Sequence, residues 1–252
     1  MNILLPHNIF STLIAQSLDD DLHQLVQYKG SALLAGMLDS EKADIVLLPS
    51  LDILKHQNYF ISSRRGISFD GGISNSYLYF AKGENSFNNI TLAGDISGVE
   101  AILSKIVINE LYDQSITVSI SPSPVIDGKK NIMLAGDINF ENDNYLQGLN
   151  FADEIIEITG HPFVNFVFAS KDKEKLLEFE ARTEGIEEKI YKRVTEPNWD
   201  FRLSPPAIEF FRDSIQHVIY EFDESDHSGL EQIVQLCYFH GILKQLFDIK
   251  FT

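Results

Sequence analysis

Two apolar runs that do not alternate limit what this chain can fold into. Residues 43–49 (ADIVLLP) place apolar side chains on both faces of an extended segment, which suits a strand covered on both sides rather than one with a wet face. Residues 3–5 (ILL) are a shorter run of the same kind, stopped by Pro6. Between the two runs, Phe10, Leu13, Ile14 and Leu18 recur at helical spacing, with Asn8 or Ser11 available as the cap. Residues 31–38 (SALLAGML) read as a second helix. Buried strand, helix, helix, buried strand is the opening of a doubly wound α/β sheet.

The pattern continues through residues 59–61 (YFI), a glycine-bearing connection at 66–72 and an aromatic strand at 76–80 (SYLYF). It then restarts, with a strand at 90–93, an amphipathic helix at 99–111, a strand at 116–120 and another at 132–137 ending in the Gly136-Asp137 turn. Segments 153–159 and 163–169 complete this second unit. Residues 171–240 are mostly helical and strongly charged, with Ser228 to Glu231 reading as a capping box. The layout predicts a discontinuous first lobe, 1–82 plus 170–252, and an inserted second lobe, 83–169. The crossings between them fall near 80–83 and 163–169, and the strand at 72–80 forms the hinge. Two lobes joined in this way close on a ligand.

The charge balance narrows the partners. Twenty basic against thirty-seven acidic residues leave a net charge of −17, a field that repels phosphate backbones and anionic lipid surfaces, so neither nucleic acid nor membrane is an expected partner. Eighteen Phe and nine Tyr within a 44% apolar composition argue for a packed core. The single cysteine, Cys237, excludes an intrachain disulfide and reads as a core residue on a late helix. The first residues lack a basic stretch and no segment reaches membrane-span length, so a cytoplasmic location is expected. The sequence contains no Gly-rich phosphate loop, dinucleotide fingerprint, Cys/His zinc set or Gly-X-Ser-X-Gly elbow. The expectation is a protein that uses neither cofactor nor metal.

Several residues invite a chemical role, each beside a plainer one. Asn8 with Ser11, and Ser97 with Gly98, stand ahead of helices where backbone N–H groups receive carboxylates; they are equally good as simple caps. Ser76 in the aromatic strand can donate to a ligand or simply make room. Asp137 ends an apolar strand, where α/β sheets present ligands, and also suits a turn. His161 and His7 are titratable near neutrality, or loop residues only. The Arg64-Arg65 pair, read as a loop, either offsets the negative field for an anionic ligand or is solvated. The acidic stretch 221–227 reads as a helix start with favourable charge rather than a metal site.

Taken in order, these segments resemble one family. Residues 32–39 and 43–50 are similar to its "ALLxGELDxALIPS" helix and strand, 72–80 to "GPVxSVLLF", 132–137 to "LLIGDAAL", and 153–168, with Thr159-Gly160-His161-Pro162-Phe163-Val164, to "DLGxxWxxxTGLPFVFAVW". The family is chorismate dehydratase of the futalosine route to menaquinone. The resemblance covers almost the whole chain and implies a two-lobed, type 2 periplasmic-binding-protein-like α/β fold. It also implies a hydro-lyase that converts chorismate to 3-enolpyruvylbenzoate without metal or organic cofactor. By motif position Asn8 and Ser76 become the residues that contact substrate and the candidate catalytic pair; Ser11, Ser97, Gly98, Asp137 and His161 stay the further substrate-binding candidates read from the residues themselves.

The chain departs from the family where an Asp-X-Ser-Ser-Arg-Thr-Ser turn would fall, keeping Asp95 and Ser97 but not the Arg-Thr-Ser portion. It also has Ile73 in place of the family's proline and His161 in place of an apolar residue. A second class is therefore open on the same scaffold: a non-catalytic protein, monomer or homodimer, that binds a small anionic carboxylate. A third reading is the sister enzyme acting later in the same pathway.

Overall fold

The computed structural model describes residues 1–83, 88–141, 143–196, 201 and 203–252. Its strands are β1 (Ile3–Pro6), β2 (Val26–Lys29), β3 (Ile45–Pro49), β4 (Phe60–Phe69), β5 (Ser76–Tyr79), β6 (Asn89–Gly94), β7 (Thr117–Ile120), β8 (Asn131–Ala135), β9 (Leu149–Asn150), β10 (Phe163–Ser170) and β11 (Val218–Glu221). Its helices are α1 (Ile9–Ser17), α2 (Asp20–His23), α3 (Leu34–Asp39), α4 (Gly98–Tyr112), α5 (Ile138–Glu141), α6 (Phe151–Thr159), α7 (Lys173–Arg182), α8 (Ile186–Thr195), α9 (Pro205–Ser214) and α10 (Glu224–Phe239).

Two sheets result. The first runs β11-β4-β10-β3-β1-β2 and the second β7-β6-β8-β5-β9. In the first, β1 lies parallel between β2 and β3, and every residue of β1 and β3 is buried, as the unalternating runs require. Strand β10 enters antiparallel between β3 and β4. In the second, β6 lies parallel between β7 and β8, and β5 pairs antiparallel with β8.

Sheet membership moves both crossings one strand earlier than the sequence suggests. Residues 76–79 belong to the second sheet, and 163–170 to the first. Apolar periodicity reports that a strand is buried but not which sheet buries it, so both aromatic strands were open to misassignment. The chain crosses at 70–75 and returns at 160–162. These segments, rather than the strand at 72–80, are the joints. Because Phe69 pairs with Phe163, exit and return lie side by side. Gly71, Gly72 and Gly160 all take positive φ there (124°, 71° and 70°), a region other residues adopt at a cost.

The C-terminal third closes over the first lobe. Arg65 is not a loop residue: it lies in β4, buried, with Nη2 3.3 Å from Glu221 and Nε donating to Thr183 Oγ1 at 3.2 Å. A residue held this way is unavailable to an anionic ligand. Helix α10 starts earlier than its Ser228 would suggest, because Asp223 caps it and Asp226 completes the capping box. The Ser228 hydroxyl instead donates back to the Glu224 carbonyl. Gly229 packs α10 onto the return crossing so tightly that a Cβ there would lie 2.1 Å from the Pro162 oxygen. Cys237 is buried in this helix, as its apolar neighbours suggest, and burial pushes its thiol up to about 12.

An aromatic knot joins the lobes. Phe140 of α5 meets Phe10 of α1 at 6.2 Å between ring centroids, Phe211 of α9 at 4.6 Å and Tyr77 of β5 at 5.9 Å. Edge-on pairs of this kind add to the large area each ring buries. Replacing Phe140 with Ala is expected to cost about 3–5 kcal/mol, the range for a fully buried Phe. Urea denaturation at neutral pH measures it, and a loss below about 1 kcal/mol would show that the knot is dispensable.

Candidate functional site

The seam between the lobes is built where strands of both sheets end. On the first lobe, β1 ends at His7 and Asn8. Asn8 is the extended N-cap of α1 (φ −145°, ψ 166°), and its Oδ1 accepts the Ser11 N–H at 2.9 Å. That leaves the buried Nδ2 without a partner. Ser11 turns inward, its hydroxyl donating to the carbonyls of Pro6 and Asn8. Ser50, which follows β3, is fully buried with a hydroxyl that also lacks a partner. His7 sits edge-on to Tyr28.

The second lobe answers with carboxylates. Asp137, in the turn after β8, accepts the Ile9 N–H at 2.6 Å. Asp95, in the turn after β6, accepts the Ser31 N–H at 2.8 Å and its hydroxyl at 2.7 Å. All three bonds cross from one lobe to the other. Ser97 is the N-cap of α4, with Glu100 closing a capping box: the Glu100 carboxylate accepts the Ser97 N–H at 2.9 Å and hydroxyl at 2.8 Å, and the Ser76 hydroxyl at 3.0 Å. A Cβ on Gly98 would lie 3.7 Å from the carboxylate of Asp52, on the first lobe.

The structure thus brings Asn8, Asp137, Ser76, Ser97 and Gly98 to the seam or its lining. His161 sits at the return crossing, its Cβ 3.5 Å from where a side chain on Gly229 of α10 would begin. Sequence reasoning missed Ser31, Ser50, Asp52 and Glu100. Glu100 was recoverable, because Ser97-Gly98-Val99-Glu100 is itself a capping-box pattern.

The electrostatics follow from burial. Desolvation pushes Asp52 and Asp137 up to about 6, and holds fully buried Glu100 above the usual carboxylate range. Around Asp137, His7 opposes the rise while Glu141 and Asp95 reinforce it. The N-termini of α1 and α4, the natural places for a ligand carboxylate, already hold the chain's own acids. Among the described residues no group of three or more His, Cys, Asp or Glu could hold a metal ion. Among them, too, no helix is long and apolar enough to cross a membrane.

No family model matches the chain, and no curated protein does. Solved structures do. Protein AF1704 from Archaeoglobus fulgidus superposes with a TM-score of 0.64 at 13% identity, over 95% of this chain and 98% of its own. The ligand-binding component of an ABC-type import system from Staphylococcus aureus, solved with zinc bound, gives 0.65 at 12% over 100% and 95%. A Candida albicans gene product described as showing the generic periplasmic binding protein structural fold gives 0.54 at 12% over 99% and 92%. The fold is that of the periplasmic binding proteins. At these identities the likeness concerns architecture, and the expected two-lobed α/β arrangement is the one observed.

The acids of the seam make stability fall with pH in a defined window. Asp52 and Asp137 stay protonated in the folded chain up to about pH 6, whereas unfolded aspartates release their protons near pH 4. The folded state therefore binds more protons between those values, and stability declines as pH rises through them. Asp137→Asn keeps an acceptor for the Ile9 N–H and removes the charge. It is expected to gain about 1–3 kcal/mol at pH 7.5 and nothing at pH 4. Thermal melts at the two pH values check this, and an equal effect at both would contradict it.

Proposed function

We propose that this protein binds a small organic molecule between its lobes and that lobe closure is the binding event. One observation carries the reading: the first lobe holds buried polar atoms without partners, Asn8 Nδ2 and Ser50 Oγ, in residues that follow the ends of β1 and β3. A buried polar group left unsatisfied costs about 1–3 kcal/mol, and native proteins rarely retain one without a reason. Ligands of open α/β sheets meet them at the carboxyl ends of strands. Two proteins of similar fold, the ligand-binding component from S. aureus and the periplasmic aliphatic sulphonate binding protein from Escherichia coli (TM-score 0.58, 11% identity over 99% and 90% of the chains), agree with a binding role.

The test is a thermal-shift screen of small polar metabolites on the intact chain. A ligand present at a hundred times its Kd stabilises the fold by about 2.7 kcal/mol. Ser50→Ala is expected to weaken such a ligand at least fivefold while the free protein unfolds at an unchanged or higher temperature. If no compound stabilises the wild type, the reading fails.

A second reading is a chorismate dehydratase-like hydro-lyase. It is favoured by the Ser76–Glu100 hydrogen bond, which sets a buried acid, held above the usual carboxylate range by desolvation, beside the serine that the resemblance assigns to substrate. Loss of water removes one proton from carbon and gives one to the departing hydroxyl: Ser76 Oγ–H would give the second and be re-protonated by Glu100, and the proton leaving carbon would pass to a basic group of the substrate itself and from there back to Glu100. Incubation with chorismate should then yield 3-enolpyruvylbenzoate. Both Ser76→Ala and Glu100→Gln should lower the rate at least a hundredfold, and wild-type protein that leaves chorismate unchanged ends this reading while sparing the first.

A further inference from the structure

We propose that a third polar residue, Asn165, completes a row with Ser50 and Asn8 that selects an uncharged, amide-bearing ligand over a carboxylate. The inference rests on the binding role above and names the ligand class for that same seam.

The row follows from register. Strand β10 runs antiparallel to β3 with Phe166 opposite Pro49, so the next pair in that register is Asn165 with Ser50. Strand β1 runs parallel to β3 with Leu4 beside Val46, so the two strands end on the same edge of the sheet, and Asn8 and Ser50 follow those ends, after Pro6 and Pro49. Three neighbouring strands thus bring three polar residues to one edge of the sheet. Their residues are 1%, 0% and 1% exposed in the order Asn8, Ser50, Asn165. Each leaves an atom without a hydrogen-bond partner: Nδ2, Oγ and Oδ1.

Asn165 is also singled out by its backbone. Against β4, Val164 pairs with Ser68 and Phe166 with Ile67, so Asn165 is the bulged residue between them. A bulge re-aims a side chain that regular pleating would bury against a neighbour. It interrupts an otherwise apolar stretch, FVNFVFA at 163–169, where the resembled family motif reads apolar throughout.

The chemistry of the row is specific. Asn8 Oδ1 is committed to the helix cap, so its free group is an N–H donor. Asn165 offers an acceptor, and Ser50 either. A carboxamide, lactam or urea edge presents the matching acceptor and donor side by side, whereas a carboxylate has no donor for Asn165. The acids around the seam argue the same way. Asp95, Glu100 and Asp137 lie on the second lobe and Asp52 on the first, and Asp137 and Glu100 already sit at the α1 and α4 N-termini, where an anion would otherwise bind.

Matched probes on the intact chain decide it. Benzamide and nicotinamide are compared with benzoate and nicotinate by calorimetric titration at pH 7.5. Each amide is expected to bind at least tenfold more tightly than its acid, and Asn165→Leu to erase that preference without lowering the unfolding temperature of the free protein. Ser50→Ala, a milder change, should weaken the amides about fivefold and serves if the first variant fails to fold. Acids that bind as well as amides, or a preference that survives in both variants, would overturn this inference and leave the binding role standing. No binding by any of the four probes, with no stabilising compound in the wider screen, would remove both.

Discussion

The pairing of β4 with β10 is the constraint on which the rest of the molecule depends. It extends from Phe60 opposite Ser170 to Phe69 opposite Phe163, and its far end is where the chain leaves the first sheet and where it comes back. Because both crossings start from one paired position, Phe69 opposite Phe163, the second lobe hangs from adjacent points. The surrounding contacts bracket the joint. His217 accepts from the Asp70 N–H through its carbonyl and bonds the Asp70 carboxylate at 2.7 Å, while the Gly72 N–H donates to Asp153 at 2.9 Å. Gly229 lets α10 lie directly on Pro162.

How much of this was legible depended on whether the relevant fact was local. Helix α4, the buried β3, the capping role of Asn8 and the burial of Cys237 follow from spacing and neighbours within a few residues, and each could be read in advance. Partner choice is not local. Nothing in SYLYF or FVNFVFAS states which sheet will receive it, so β5 and β10 were exchanged between lobes. Arg65 likewise looked like half of a solvated pair because Glu221, its counter-charge, lies far along the chain. The polar row is an intermediate case. A lone Asn in a buried apolar strand is a visible anomaly, but that it shares one edge of the sheet with Ser50 and Asn8 exists only in the sheet's register.

The energetics of the seam set its range of action. Each carboxylate–N–H bond across it contributes a net amount of about 1 kcal/mol, somewhat more for an ionised acceptor. Two such bonds and the aromatic contacts of Phe140 oppose the cost of holding buried acids that would rather be solvated. Ligands of millimolar to micromolar affinity bring about 4–8 kcal/mol, which is ample to move a balance of that size. Weak closure in the free state is therefore compatible with strong dependence on a ligand, provided the ligand contacts both lobes.

The two lobes contribute unlike chemistry to that contact. The first supplies donors, the N–H groups of Ile9 and Ser31; the second supplies acceptors, Asp95 and Asp137. In effect the second lobe acts as a built-in anionic ligand for the first. An anion arriving from solution would have to displace a tethered carboxylate from a helix terminus, and a tethered group competes at high effective concentration. A neutral molecule faces no such competitor at Asn8, Ser50 and Asn165, where the chain has left its donors and acceptors unmatched.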